Sequence, residues 1–205
     1  MELFAERGFE NTTVAEIAAR AGLTERTFFR HFADKREVLF YGSAALQELL
    51  AKSAYEAPAS LPPLEAIEAA LIGATAFFGE RREFACQRQA IIAANPELQE
   101  REQVKLAMLA TALAEALRRR GVKEPAASLA AEAGVAVFKV AFQRWTAGAG
   151  DRTLAQLIRE SMDELKAVAG GGEERRSSTD DFGARAHGRR GDERRKVRAQ
   201  DDYVT

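Results

Sequence analysis

The hydrophobic pattern of the N-terminal segment predicts two short helices joined by a turn. After Val14, apolar side chains recur at three-, four- and seven-residue spacing, which is the pattern of one amphipathic helix. Thr13 and Glu16 have the spacing of a capping box at its start. Gly22 follows where a left-handed residue is favoured, and Thr24 is a suitable N-cap for a second helix. The arrangement predicts a helix-turn-helix.

The second predicted helix runs to about Phe32 and has two different faces. Phe28 and Phe32 are four residues apart, which predicts that both rings pack towards the interior. Another face carries charged and aromatic side chains together: Glu25, Arg26, Phe29 and Arg30, flanked by Thr27 and His31. Two arginines and a ring on an exposed face indicate a binding surface. Two alternatives remain open, because Phe29 can pack against the next helix and His31 can be a hydrogen-bonded structural residue.

A third helix is expected to follow directly. Asp34 and Glu37 have the spacing of a second capping box. The apolar stripe that begins at Val38 continues to Leu50, which predicts one unbroken helix of about five turns. This helix would connect the helix-turn-helix to the rest of the chain.

Beyond a proline-rich break at residues 58–63, the apolar spacing is helical again as far as Val168. Few segments show β-branched alternation and 46% of the residues are apolar, so we expect an all-α fold with a substantial core. After Val168 the chain is dominated by Arg, Asp, Glu, Gly and Ser, a composition that predicts disorder. The Arg189-Arg190 and Arg194-Arg195-Lys196 clusters are basic enough to touch DNA, but the interspersed acidic residues favour a solvated tail.

Composition narrows the classes of function. Cys86 is the single cysteine, so no intramolecular disulfide is expected, and with only His31 and His187 besides it we expect no metal site. We find no nucleophile–base pair or glycine-rich phosphate loop, so neither an enzyme nor a cofactor is expected. No apolar run reaches the ~20 residues of a membrane span and no signal peptide is evident, which predicts a cytoplasmic protein without membrane contact.

The residues of the predicted helix-turn-helix and its flanking segments resemble the TetR/AcrR family of bacterial transcriptional regulators. The resemblance covers residues 1 to about 45, through the run F-A-E-R-G-F-x-x-T-T-V-x-x-I-A-x-x-A-G-L-T-x-x-T-F-F-x-H-F-x-x-K. It implies that the second helix of the motif enters the major groove of DNA. By position, it implies that the DNA is faced by Thr24, Arg26, Thr27 and Phe29 and that the phosphates are contacted by Thr13, His31 and Lys35.

Two departures from the family bear on DNA recognition. The family usually has Gly where this chain has Arg26, and Tyr where it has Phe29. Arg26 is therefore predicted to donate a bidentate pair of hydrogen bonds to a guanine edge, whereas Phe29 lacks a hydroxyl for a phosphate. The family's first helix also begins earlier than Met1, so we expect either an upstream start codon or a reduced affinity for DNA.

In the resembling family, the middle helices enclose a ligand pocket. Apolar side chains with a few polar groups are typical of such pockets. The candidate lining residues are Phe77, Phe78, Phe84, Gln87, Met108, Phe138, Phe142 and Trp145. The alternative is that rings and methionine at helical spacing form core, so we expect only an apolar or aromatic class of effector.

The last two predicted helices carry small and apolar residues at helical spacing. Such helices approach closely, and two from each subunit form a four-helix bundle. The candidate dimer-interface residues are Leu129, Ala133, Val137, Val140, Leu154, Leu157, Ile158 and Leu165. A symmetric dimer would set two recognition helices about 34 Å apart and read a palindrome. The alternative is that these helices only close the core of one chain.

The expected organisation is a helix-turn-helix domain at residues 1–45, a connecting helix and linker at 46–63, a ligand-binding and dimerisation domain at 64–168, and a disordered charged tail at 169–205. The expected function is a DNA-binding transcriptional regulator: a homodimeric repressor released from a palindromic double-stranded operator by a small apolar or aromatic effector. Activation remains possible. The alternative is a dimeric ligand-binding or interaction protein that has lost DNA binding through its short first helix.

Overall fold

The computed structural model describes residues 1–79, 81–148 and 150–170. All regular elements in these ranges are helical, which confirms the all-α prediction. The α-helices are α1 Glu2–Arg7, α2 Val14–Arg20, α3 Glu25–His31, α4 Ser43–Glu56, α5 Pro63–Gly73, α6 Arg82–Ala93, α7 Pro96–Arg119, α8 Ala126–Thr146 and α9 Leu154–Gly170, with 3₁₀ helices at Lys35–Val38 and Ala74–Phe77. The disordered tail was predicted to begin at residue 169, which is wrong for residues 169–170, because they belong to α9. The rest of that prediction, residues 171–205, lies outside the described residues. The contacts discussed below lie within the compact unit Met1–Asp163.

Local interactions fix the helix-turn-helix as predicted. The Thr13 hydroxyl accepts from the Glu16 amide and the Glu16 carboxylate accepts from the Thr13 amide, so the first capping box is confirmed. Gly22 has a φ of 68° between α2 and α3, a backbone conformation that favours glycine. The Thr24 hydroxyl accepts from the Thr27 amide at 3.2 Å and caps α3.

The first 42 residues, called the head below, share part of their core with the helical body, residues 43–163. Leu3 and Phe4 of α1 are buried, and the Phe4 and Phe9 ring centroids lie 5.3 Å apart. The same apolar cluster contains residues of the 3₁₀ region, α6 and α7: Leu39, Phe40, Ile92 and Leu98. The two-turn α1 is therefore held by tertiary contacts, as a helix of this length requires.

The prediction of one unbroken third helix is wrong. The chain forms a 3₁₀ helix over Lys35–Val38, turns at Gly42 with a φ of 89°, and only then starts α4. Asp34 does cap the 3₁₀ helix, because its carboxylate accepts from the amides of Arg36 and Glu37. The second capping box is incomplete, because the Glu37 carboxylate binds cations of α7 instead of reaching back to the cap.

In the body, α4 and α8 each contact both α5 and α7, and α6 packs against α7 and α8. At the crossing of α5 and α8, a Cβ on Gly134 would lie 2.3 Å from the Ile67 side chain, so only glycine permits this approach. The Arg120 guanidinium donates to the carbonyls of Ala54 and Pro58 and thereby binds the C-terminal end of α4 to the end of α7.

Helix α8 is, by length and composition alone, long and apolar enough to cross a membrane, with a mean hydropathy of 1.2 over its best window. The expected absence of any such segment is therefore not met within the described residues. Core helices of soluble proteins pass the same test, and α8 contacts α5, α6 and α7. We interpret α8 as a core helix.

Candidate DNA-binding surface and its connection to the body

The outward face of α3 carries charged side chains that are exposed to solvent. Arg26 and Arg30 are exposed, and within the part of the chain that the structure describes neither guanidinium has a hydrogen bond or an ion pair. Glu25 is exposed as well. Side chains without internal contacts are free to bind a partner, so this face has the chemistry expected of a nucleic-acid contact.

Phe29 is exposed on α3 and packs against a ring of the same helix, and its contact with DNA remains a prediction. Its ring is 54% exposed, yet it meets the buried Phe28 ring edge-on at a centroid distance of 5.5 Å. Phe28 is 3% exposed and also stacks against Phe32 at 5.2 Å. The predicted core role of Phe28 is confirmed. The exposed part of the Phe29 ring remains available next to Arg26 and Arg30 in sequence.

The hydroxyls of the two cap residues already make structural hydrogen bonds. Thr13 Oγ1 donates to Glu16 Oε2 at 2.9 Å and accepts from the Glu16 amide at 3.3 Å, and Thr24 Oγ1 lies 3.1 Å from Thr27 Oγ1. Thr27 is half-buried and His31 is exposed at the last position of α3. Contacts of these residues with DNA remain predictions.

Lys35 is committed to the interior of the head. Its ammonium lies 2.8 Å from the Phe9 carbonyl, 3.1 Å from that of Glu10 and 3.2 Å from that of Thr12, and 4.4 Å from the Phe9 ring centroid. An ammonium has three donor hydrogens, and three carbonyls occupy them. The predicted phosphate contact would require one of these bonds to break, so we assign Lys35 a structural role in this conformation.

The Glu37 carboxylate links the head to α7. Arg101 Nε donates to Glu37 Oε1 at 2.7 Å, and Lys105 Nζ donates to Oε2 at 3.1 Å. The Glu37 side chain is 19% exposed. Burial alone would raise the pKa of Glu37, but the hydrogen bonds from Arg101 and Lys105 outweigh it and hold this pKa below its ordinary value.

Arg88 of α6 makes the second connection. Its Nε donates to the Leu39 carbonyl at 2.7 Å, its guanidinium lies 5.1 Å from the Phe40 ring centroid, and its Nη1 lies 3.3 Å from a Glu102 oxygen. Burial lowers the pKa of Arg88, and Glu102 opposes this shift. We call the contacts of Glu37 and Arg88 the head–body junction. Sequence reasoning missed it, because its partners are distant along the chain and follow no spacing rule.

The predicted ligand-pocket residues separate into two groups. Rings from the end of the 3₁₀ helix Ala74–Phe77, from the residue after it and from α8 form one aromatic cluster with centroid distances of 5.3 to 6.2 Å: Phe77, Phe78, Phe138, Phe142 and Trp145. Phe84, Gln87 and Met108 are exposed, the first and last by about half. None of the eight lines either of the two grooves found between α7 and α8 in the described residues. Their role as ligand-binding residues remains a prediction.

The predicted dimer-interface residues also differ in exposure. Val137, Leu154, Leu157 and Ile158 are buried within the single chain, which favours the alternative that they close its own core. Leu129 is 66% and Val140 47% exposed, whereas Ala133 and Leu165 are half-buried. In this structure only the exposed members are available to a second subunit.

The residues that the structure describes contain no group of three potential metal ligands. The Cys86 thiol donates to the Thr146 carbonyl at 3.2 Å, which is a structural contact between α6 and α8. His187 lies outside the described residues.

Comparison with known proteins gives the chain its relatives. Residues 1–41 match the family described as bacterial regulatory proteins, tetR family, and residues 61–170 match the MftR C-terminal domain. The HTH-type transcriptional regulator TcmR of Streptomyces glaucescens is 41% identical over 70 residues, which is 34% of this chain and only 31% of that relative's length.

Two solved structures are similar to this chain. FadR of Thermus thermophilus, a TetR family repressor in complex with lauroyl-CoA, is 25% identical with a TM-score of 0.50, covering 80% of this chain and 88% of FadR. The TetR family regulator PfmR of Thermus thermophilus is 24% identical with a TM-score of 0.44, covering 79% of this chain and 91% of PfmR. The family consists of DNA-binding regulators and not of enzymes. This chain therefore belongs to the TetR family of transcriptional regulators, with an N-terminal helix-turn-helix domain and an MftR-like C-terminal domain.

Proposed function

We propose that this regulator is a cytoplasmic, dimeric repressor that binds a palindromic operator and leaves it when a small apolar molecule binds the body. The observation that carries the proposal is the outward face of α3, where Arg26 and Arg30 are exposed without internal partners in the described residues while the helix itself is capped. A preorganised helix with free cationic side chains is suited to the major groove.

The division of roles on α3 follows from the side-chain chemistry. Arg26 lies in the first turn, at the end of the helix that reads base edges in a helix-turn-helix, and a bidentate bond to guanine is its strongest specific contact. Arg30 and His31 lie in the last turn and are suited to phosphates. The part of the Phe29 ring that is exposed is suited to an apolar contact such as a thymine methyl.

The proposed release from DNA by an effector requires a change that passes through the head–body junction. A ligand shifts a conformational equilibrium only if it prefers one state, so the proposed effector must favour a body that holds the head differently. Arg88 on α6 and Arg101 and Lys105 on α7 are the residues through which such a change would reach the head. The likeness to FadR, which is in complex with lauroyl-CoA, and the aromatic cluster of the body support an apolar effector.

The test is a fluorescence-anisotropy titration of the full chain on DNA flanking its own gene, at fixed salt with nonspecific competitor DNA. We expect saturable binding that Arg26→Ala/Arg30→Ala abolishes and that Glu65→Lys, a charge reversal on α5, leaves intact. Lauroyl-CoA is the first effector probe, with free coenzyme A and lauric acid as controls. Release of the DNA by the thioester alone supports the proposal.

Calorimetry of lauroyl-CoA binding distinguishes the proposed repressor from the alternative, a ligand-binding or interaction protein that does not bind DNA. Ligand binding by a chain that shows no saturable DNA binding under any salt condition would favour the ligand-binding or interaction protein. DNA binding that neither the thioester nor an aromatic probe releases would contradict the effector class.

A further inference from the structure

Gly42 marks the point where the head ends and α4 begins. It is the N-cap of α4 and has a φ of 89°, a backbone conformation that residues other than glycine rarely adopt. The tip of the Phe77 ring lies against it, because a Cβ built on Gly42 would lie only 3.2 Å from Phe77 Cζ. Optimal contacts between carbon atoms are about 3.5–4.0 Å, so even a methyl group in this turn would press on the ring.

Phe77 belongs to the aromatic cluster of the body. Its ring meets Phe78 edge-on at a centroid distance of 5.6 Å, and Phe78 lies 5.3 Å from Phe142 and 6.2 Å from Trp145. Phe77 is nevertheless 40% exposed. Because buried apolar area sets most of what a ring contributes to folding, Phe77 contributes less than its size permits. Its close contact with Gly42 therefore needs an explanation other than core formation.

The residue before Gly42 continues the ring contacts into the head. The Tyr41 ring is 82% exposed, and its centroid lies 5.8 Å from that of Phe32. Phe32 stacks on Phe28 at 5.2 Å, and Phe28 is the buried ring of α3. Gly42 therefore lies between two sets of packed rings, one that reaches α3 and one that belongs to the body.

We propose that Phe77 is a positioning residue for the head: its ring is the stop against which the Gly42 turn rests, and a displacement of the aromatic cluster of the body turns the head about Gly42. The inference rests on the proposed function, because it names a route by which an apolar molecule in the body would act on α3. The head–body junction holds Glu37 and Leu39, whereas Phe77 contacts the turn that follows them. Packed contacts carry coupling only if one end responds to a change at the other.

The experiment is a double-mutant cycle on DNA affinity, with Gly42→Ala and Phe77→Ala in the full chain. The new methyl group of Gly42→Ala presses on the ring, so this variant should bind DNA flanking its own gene about ten-fold more weakly than the natural chain. In Gly42→Ala/Phe77→Ala the ring is absent, so the affinity should return to within about two-fold of that of Phe77→Ala. Fluorescence anisotropy at fixed salt measures the four chains, and circular dichroism checks that each is folded.

Gly121→Ala is the matched control for backbone strain. Gly121 has the same φ of 89°, but in the described part of the chain a Cβ built on it would meet no other segment within 4 Å. Both glycine substitutions place alanine at an unfavourable φ, so urea denaturation should show a similar loss of stability. Only Gly42→Ala should weaken DNA binding, and Phe77→Ala should not change the effect of Gly121→Ala. A difference in DNA affinity between the two glycine variants therefore reports the contact with the ring.

Release by lauroyl-CoA tests whether a displacement of the aromatic cluster reaches the head. At saturating lauroyl-CoA, where differences in ligand affinity no longer matter, the ratio of the DNA affinities without and with the ligand measures the coupling. We expect this ratio to be at least about five-fold smaller in Phe77→Ala than in the natural chain. An equal ratio in both chains would reduce Phe77 to a structural contact and overturn the inference.

The outcomes separate this inference from the proposed function. A natural chain that does not bind the DNA would overturn the repressor and this inference with it. A natural chain that binds DNA, together with a Gly42→Ala deficit that persists without the ring or that Gly121→Ala reproduces, would overturn the role of Phe77 and leave the repressor standing. DNA that the natural chain retains at saturating lauroyl-CoA would contradict this effector, and the cycle on DNA affinity then decides the role of Phe77.

Discussion

The outward face of α3 and the head–body junction contain the same kinds of side chain in opposite situations. On α3, Arg26 and Arg30 are exposed and make no polar contact in the residues that the structure describes. At the head–body junction, Arg88 donates to the Leu39 carbonyl and to the Glu102 carboxylate. Arg101 donates to the Glu37 carboxylate. This difference shows that the type of residue alone does not reveal whether a side chain binds DNA or stabilises the fold in this protein. The presence or absence of an internal partner reveals it.

This contrast has an energetic meaning. A charge with an internal partner contributes to the position of the head, and its removal leaves the partner unsatisfied. A charge without a partner contributes little to folding and keeps its binding capacity for DNA. Substitutions at the junction should therefore change stability first, whereas substitutions on α3 should change DNA binding alone.

The largest effect on stability is expected for Arg88→Met. The variant retains an apolar stem but leaves the Leu39 carbonyl and the Glu102 carboxylate without this donor, so unfolding should become about 2–3 kcal/mol easier. Urea denaturation measures the change. Arg30→Met on α3 is the matched control and should lie within about 0.5 kcal/mol of the natural chain. Equal destabilisation by both substitutions would remove the distinction between the two regions.

Arg26→Ala should change the sequence preference for DNA without changing stability. We expect the loss of about 1–3 kcal/mol of discrimination, confined to one base position and greatest for guanine. Binding to a panel of single-base operator variants measures this preference. A uniform loss of affinity at all positions would instead make Arg26 a phosphate contact.

Lys35 and Arg30 test whether the contrast extends to individual phosphate contacts. Arg30→Ala should reduce the slope of log affinity against log salt by about 1, because one phosphate contact is removed. Lys35→Met should leave that slope unchanged and destabilise the head by about 1–2 kcal/mol, because three carbonyls lose their donor. A reduced salt slope for Lys35→Met would restore its predicted place on the DNA backbone.

The sequence allowed prediction of the parts of this fold that depend on near neighbours. The Thr13–Glu16 box, the Gly22 turn and the Thr24 cap all involve residues within four positions, so their spacing alone predicted them. The junction joins residues that are 49 positions apart for Arg88 and Leu39 and 68 for Lys105 and Glu37. No local pattern carries that information.

One prediction, the continuity of the third helix, failed, and another, the pocket formed by the aromatic residues of the body, stayed open. The helix predicted after Asp34 is interrupted at Gly42, whose φ of 89° lies outside the helical range. Its capping box is incomplete because Glu37 forms charge-assisted hydrogen bonds with two cations of α7. Whether the aromatic residues of the body line a pocket stays open, because helical spacing does not determine whether space remains between rings. That depends on how completely neighbouring side chains fill the volume.

The smallest expected effect at the head–body junction is the pH dependence of the stability that Glu37 contributes. Because its pKa is lowered in the folded chain, the stabilisation by its ion pairs is complete above the ordinary value of 4.5 and is lost as the pH falls below that value through the folded pKa. Glu37→Gln should therefore be less stable than the natural chain at pH 7. The loss should be about 1 kcal/mol or less, because Arg101 and Lys105 are partly exposed. This difference in stability should shrink towards pH 4 and below. Urea denaturation across this range measures the convergence, and Glu25→Gln on α3 is the control that should show no difference at either pH. A Glu37→Gln deficit that is constant with pH would mean that Glu37 acts through shape and not through charge, and the junction would then resemble an ordinary packed contact more than an electrostatic one.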